Sequence, residues 1–179
     1  RARFARTFGE DRASRLEFRT INGLSARIIQ YYERAMGRRA FQLVTDEGTL
    51  SSLVGELFRA CTGTFATEST IKGLRTAITY GKNRQMSREE MEALSTGELP
   101  VAQVYQAYCR VLRQRGWMDY DDQMVYAKTI LEQYSDILAY FQETFPYICV
   151  DESQDTSKIQ HAIIHLLAQK TGNLFMVGD

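Results

Sequence analysis

The stretch that most limits how this chain folds lies near its end. Tyr147-Ile148-Cys149-Val150 is a short continuous apolar run after Phe145-Pro146, the texture of a strand buried on both faces. Ile159, Ile163, Leu166 and Leu167 follow at helical spacing, and Leu174-Phe175-Met176-Val177 forms a second apolar run. Strand, helix, strand in that order predicts a parallel pair, because parallel neighbours need a long crossover between them. Between the first strand and the helix stands Asp151-Glu152-Ser153-Gln154-Asp155-Thr156. In open α/β sheets ligands gather outside the carboxyl ends of strands, so acids at that point face a binding crevice.

Upstream, helical periodicity dominates. Leu16-Glu17-Phe18-Arg19-Thr20-Ile21 alternates apolar and polar residues, which predicts a half-buried strand that Asn22-Gly23 then breaks. A helix is expected next through Leu24, Ile28, Ile29 and Tyr32, and another through Leu50, Leu53, Val54, Leu57 and Phe58 that Gly63 ends. Ile71, Leu74 and Ile78 predict a helix stopping before Gly81. Ser87-x-x-Glu90 has the form of a capping box, and residues 101–112 keep helical spacing until Gly116. Asp119 and Ser135 are expected to cap two further helices. The fold class predicted is α/β but mostly helical, with a helical insert at about residues 41–116 between two pieces of a sheet domain, 1–40 and 117–179.

Composition narrows the function classes only partly. With 44% hydrophobic residues the chain can bury a real core, and two prolines argue against a linker-rich protein. The formal net charge of zero says nothing about nucleic acid, yet residues 1–40 hold ten arginines against four acids. Such a basic end suits tracking phosphates, and equally suits a solvated helix face. Cys61, Cys109 and Cys149 are odd in number and far apart, with no Cys-x-x-Cys, so neither a disulfide framework nor a zinc site is expected. No signal peptide or apolar run of membrane-spanning length is visible, so a cytoplasmic protein without a membrane partner is expected. The chain opens Arg1-Ala2-Arg3-Phe4 and stops where a strand reaches Gly178-Asp179, as an internal piece of a longer protein would.

The acids have a specific chemistry to offer. Magnesium keeps several waters and takes one or two carboxylates plus phosphate oxygens, which suits Asp151 as a metal anchor. Glu152 beside it is suited to orient or deprotonate a water attacking a terminal phosphate. The plainer alternative is that Asp151, Glu152 and Asp155 cap a helix beginning near Thr156. The extended pattern, with a second apolar run ending Val-Gly-Asp, is more specific than an Asp-Glu pair alone.

Residues 148–160, Ile-Cys-Val-Asp-Glu-Ser-Gln-Asp-Thr-Ser-Lys-Ile-Gln, resemble motif II of the UvrD/Rep superfamily 1 ATP-dependent DNA helicases. Met176-Val177-Gly178-Asp179 is similar to the start of their motif III, and Phe18 to Leu24 to their motif Ib segment. Gly116-Trp117-Met118-Asp119-Tyr120-Asp121-Asp122 resembles the Asp-Phe-Asp-Asp segment that closes their helical subdomain 1B. The resemblance implies a partial P-loop NTPase, RecA-like sheet, with 1–40 and 117–179 from motor domain 1A and 41–116 as the 1B-like insert. It implies ATP and Mg2+ as cofactors, Asp151 on the metal, Asp151, Glu152 and Asp179 at the nucleotide, and Glu152, Gln154 and Asp155 as the catalytic set. It places Thr20 and Asn22 near single-stranded DNA, although Asn22 departs from the usual histidine. Ser153 also stands where an aromatic or small apolar residue is common.

No Gly-x-x-x-x-Gly-Lys-Ser/Thr occurs in the 179 residues, so this chain by itself is expected to be inactive. The family carries that loop upstream and a second motor domain downstream, which makes the remainder of the parent helicase an expected partner alongside DNA. Two other readings compete: a degenerate helicase-like module that binds DNA or protein without hydrolysis, and a nucleotide hydrolase acting on something other than DNA. His161 and His165 lack the glutamate of a zinc-peptidase helix and read as an ordinary helix face. The tyrosines and Trp117 read as packing residues.

Overall fold

The computed structural model describes residues 1–96 and 99–179. It is mostly helical, with two small parallel sheets among the described residues. Two short helices, α1 (Ala2–Phe8) and α2 (Glu10–Ser14), are separated by Gly9 at φ 90°, a conformation that side chains resist. The strand expected over Leu16–Ile21 is not there. No partner strand offers it a ladder among the described residues. Side chains hold the stretch instead: Glu17 pairs with Arg19 and Arg27, and the Phe18 ring lies 5.6 Å from Phe4. Asn22 and Gly23, expected to break the chain, sit in the first turn of α3 (Ile21–Met36). Thr20 caps that turn by accepting the Gly23 N–H at 3.1 Å.

After β1 (Gln42–Leu43) come α4 (Glu47–Thr62), α5 (Glu68–Arg84), α6 (Arg88–Ala93) and α7 (Val101–Arg115). Their ends follow local chemistry. Asp46 and Thr67 cap α4 and α5, Ser87 and Glu90 form the expected capping box on α6, and Gly63 and Gly116 end α4 and α7 in left-handed conformations. Gly81 does not end α5, contrary to expectation. It is buried within the helix, where a Cβ would come 2.5 Å from Met91 Sδ, so its small size serves packing. β2 (Trp117–Met118) then pairs with β1 in parallel, Gln42 opposite Trp117 and Leu43 opposite Met118.

Asp119 and Asp122 form a capping box on α8 (Tyr120–Gln133), and α9 (Ser135–Thr144) follows. Ser135 begins that helix without capping it; the cap position is Tyr134, and its side chain makes no capping bond. The final unit is β3 (Ile148–Val150), a 3-10 turn (Ser153–Asp155), α10 (Lys158–Ala168) and β4 (Leu174–Met176). β3 and β4 are parallel, with Ile148, Cys149 and Val150 opposite Leu174, Phe175 and Met176, as the crossover pattern predicts.

Two apolar clusters hold the chain. One gathers Ile28, Ile29, Met118, Met124, Leu131, Phe141, Ile159 and Ile163 from α3, β2, α8, α9 and α10. The other joins Leu50, Val54, Phe58, Leu74, Met91, Val104 and Leu112 from α4 to α7. Helix α5 also packs on α8 and α10, so the clusters share a wall. One expectation fails here: the apolar runs of β3 and β4 are not buried on both faces. Tyr147 is 76% and Phe175 65% exposed, and within this sheet only Ile148 packs against a core. Without flanking strands among the described residues, the pair leaves its outer surface open.

Candidate functional site

The acidic turn grows out of β3. Val177 N–H donates to the Val150 carbonyl at 2.9 Å and Ser153 N–H to the Val177 carbonyl at 2.8 Å, so ladder-like bonds continue past both strand ends. Between them the backbone must reverse sharply. Glu152 takes that reversal at φ 50°, ψ 45°, a left-handed conformation disfavoured for any residue with a Cβ. Its N–H donates to Asp151 Oδ1 at 3.1 Å. Non-glycine residues held in that region concentrate at functional sites, where surrounding bonds impose the geometry.

Side chains then stitch the turn to the end of β4. Gln154 Nε2 donates to Glu152 Oε2 at 2.8 Å, and Gln154 Oε1 accepts the Asp179 N–H at 3.3 Å. Asp155 closes the 3-10 turn by donating its N–H to the Glu152 carbonyl at 3.0 Å. Gly178 lies flat against the turn: a Cβ there would be 2.7 Å from Ser153 Oγ and 3.1 Å from Gln154 N. Asp151, Glu152, Gln154, Asp155 and Asp179 are thereby brought to one exposed patch at the carboxyl ends of β3 and β4.

The acids do not cap α10. Its cap is Ser157, whose N–H is accepted by Gln160 Oε1 at 2.9 Å. Among the described residues no lysine or arginine forms an ion pair with Asp151, Glu152, Asp155 or Asp179, so the patch carries uncompensated negative charge. Among the same residues no group of three His, Cys, Asp or Glu could cage a metal. A donor set of one or two exposed carboxylates fits magnesium, which fills its remaining positions with water and phosphate oxygens. It does not fit zinc, and His161 instead hydrogen-bonds Thr156.

Among the described residues Thr20 and Asn22 share no hydrogen bond with this patch. Thr20 is exposed and its Oγ1 is engaged as the α3 cap, while Asn22 is half-buried with its amide oxygen lacking a hydrogen-bond partner among the described residues. The aromatic residues pack largely as expected, Tyr31 stacking on Tyr140 at 4.2 Å and Trp117 leaning on the second cluster.

Sequence reasoning missed a buried ionic cluster. Lys82 Nζ lies 2.7 Å from Asp119 Oδ2 and 2.7 Å from Asp122 Oδ1, and Tyr108 donates to Asp119 at 3.0 Å. Asp121 accepts from Thr79 and Asn83 at 2.8 and 2.7 Å. Burial opposes the Lys82 charge, but the two carboxylates hold its affinity for the proton above the ordinary lysine range. A signal was present: Leu74, Ile78 and Lys82 fall four residues apart, so the lysine continues a core-facing stripe. A cleft lined by Glu47, Arg75, Tyr108 and Asp121 lies beside this cluster, whereas the acidic turn sits on open surface.

Residues 1–179 match the sequence model of the UvrD/REP helicase N-terminal domain from end to end. The chain belongs to that family. Like-named relatives agree: this UvrD/REP domain is 30% identical over its whole length to the ATP-dependent DNA helicase PcrA of Leuconostoc citreum, covering 24% of that protein. It is 40% identical over 90 residues to PcrA of Staphylococcus aureus and 39% identical over 105 residues to PcrA of Staphylococcus epidermidis. Those matches take in 50% and 58% of this chain, and 12% and 14% of the two relatives. The UvrD/REP chain thus spans about a quarter of the Leuconostoc citreum protein and less of the others. Among its described residues no helix is long and apolar enough to cross a membrane.

Proposed function

We propose that this chain is the acidic half of an ATP-hydrolysing centre in a DNA helicase that moves along single-stranded DNA and separates duplex. One observation carries the reading: Asp151 and Glu152 emerge at the carboxyl end of a strand in a parallel β-α-β unit, without an ion-pair partner among the described residues, and Glu152 is held in a left-handed turn. Asp151 is the residue that would hold magnesium. The metal, when bound, neutralises charge on the phosphate oxygens around the bond that breaks. Glu152 takes the proton from the attacking water, and Asp179 lies at the nucleotide's edge. Gln154 and Asp155 keep Glu152 in the turn and relay nucleotide state toward DNA at Thr20 and Asn22.

Residues 1–40 and 117–179 fit as parts of a P-loop NTPase motor domain, and 41–116 as a helical insert with its own core. The rest of a longer polypeptide supplies the phosphate-gripping loop and the second motor domain, so the 179-residue chain alone turns over no ATP. The protein acts in the cytoplasm. The test is ATP hydrolysis by the full-length protein with and without single-stranded DNA. DNA is expected to accelerate it, and Glu152→Gln to slow it by roughly 10²–10⁴-fold, the usual weight of a general base. A rate indifferent to DNA, or to Glu152→Gln, overturns the proposal.

A further inference from the structure

We propose that Gln154 is a positioning residue linking the backbone at 178–179 to the Glu152 carboxylate, and that Gly178 is the residue that permits the link. The inference rests on the reading of Glu152 as the hydrolytic base. It goes further by naming what controls that base.

The amide of Gln154 is engaged at both ends, donating to Glu152 Oε2 at 2.8 Å and accepting the Asp179 N–H at 3.3 Å. A backbone N–H only donates and a carboxylate only accepts, so these two partners fix which way the amide faces. Rotating it would set oxygen against carboxylate and nitrogen against N–H. Glu152 meanwhile has a backbone conformation it does not favour by itself, φ 50°, so its carboxylate depends on neighbouring bonds for its position.

Gly178 is the second half of the device. A Cβ at that position would collide with Gln154 Oε1 and approach Ser153 Oγ to 2.7 Å and Gln154 N to 3.1 Å. The two nearest obstacles are side-chain ends, and the backbone N at 3.1 Å need give by only a few tenths of an ångström, so an added methyl first drives the Gln154 amide out of its place. The Ser153 N–H to Val177 carbonyl bond, 2.8 Å, keeps the two segments in register. Movement of residues 178–179 against β3 is therefore transmitted through one amide to the carboxylate that takes the proton. Contacts made by the segment following β4 would in this way set how fast the site hydrolyses.

The experiment uses the full-length protein with Gln154→Met, Gly178→Ala, the double variant, and Gln154→Glu. Gln154→Met keeps the length and removes both amide functions. Gln154→Glu fills the same space and still accepts from Asp179 but cannot donate to an ionised Glu152, so it reports on the link even if a bulkier change unfolds the turn. Each single variant is expected to lower kcat for ATP hydrolysis roughly tenfold to a hundredfold, the scale of a misplaced catalytic group, with KM for ATP within about twofold. The double variant should be no slower than the slower single, because both cut one link. Multiplying losses in the double variant, or an unchanged kcat in Gln154→Glu while Glu152→Gln is inactive, overturns the inference alone. Absence of ATP hydrolysis in the unsubstituted protein instead overturns the reading of Glu152, and this inference with it.

Discussion

Lys82 reaches from the third turn of its stripe in α5 to within 2.7 Å of Asp119 at the start of α8, and both side chains are almost wholly shielded from water. The pair joins a helix of the second cluster to one of the first. Removing one partner of a buried ion pair leaves the other charge stranded, which costs about 3–5 kcal/mol. Lys82→Met should destabilise the chain by that amount in urea unfolding followed by Trp117 fluorescence. Arg88→Ala, which breaks the exposed pair with Glu92, should leave the unfolding midpoint almost unchanged. Similar effects for the two would contradict the burial argument.

Acid should act on the same cluster. Burial pushes the Asp119 carboxyl up, but the Lys82 charge, together with hydrogen bonds from Lys82, the Asp122 N–H and Tyr108, brings it below its ordinary value. A group depressed in the folded state adds stability above its unfolded value, about 4, and loses that contribution as pH falls through the folded one. Asp121 and Asp122 are pushed up, chiefly by burial, and pull the opposite way. The comparison that isolates Asp119 is therefore unsubstituted chain against Asp119→Asn. The former should lose more stability between about pH 5 and pH 3, and equal slopes would refute the assignment.

The two clusters also predict where a cavity is felt. Leu74→Ala removes a fully buried side chain from the helical cluster and should cost about 2–5 kcal/mol. Amide hydrogen exchange is expected to quicken in α4, α5 and α7 while α3 and α9 keep their protection. Exchange rising equally in α3 and α9 would argue against a separately cored insert.

Thiol labelling offers a quick check on packing. Burial raises the Cys109 thiol above its ordinary range, whereas Cys61 and Cys149 are exposed. Since the thiolate is the nucleophile, an aromatic disulfide reagent near pH 8 should modify Cys61 and Cys149 first and Cys109 slowly. Three equal rates would mean that α7 is not packed as described.

The caps show how much of this protein is written locally. Ser87 with Glu90, Asp119 as the start of α8, and Gly63 and Gly116 as stops all involve residues within four positions of each other, so each was legible in the sequence. The β3-α10-β4 unit was legible too, because apolar runs and helical spacing fix both element type and crossover. The place of Asp151 and Glu152 directly after a strand was legible as well, a position that one line of sequence supplies.

Long-range neighbours decided the rest. Leu16–Ile21 alternates like a strand yet finds no partner strand among the described residues, and Gly81 stays helical with Met91 packed against it. The left-handed turn at Glu152 depends on bonds to Val177, and the contact at Gly178 depends on a segment some 25 residues away in sequence. Lys82 could be placed on a buried stripe from its spacing, but not paired with Asp119, 37 residues on. Sequence determines what a residue can do within one turn of its own backbone; which distant group it meets is settled by how the elements pack, since only packing excludes the water that would otherwise satisfy it.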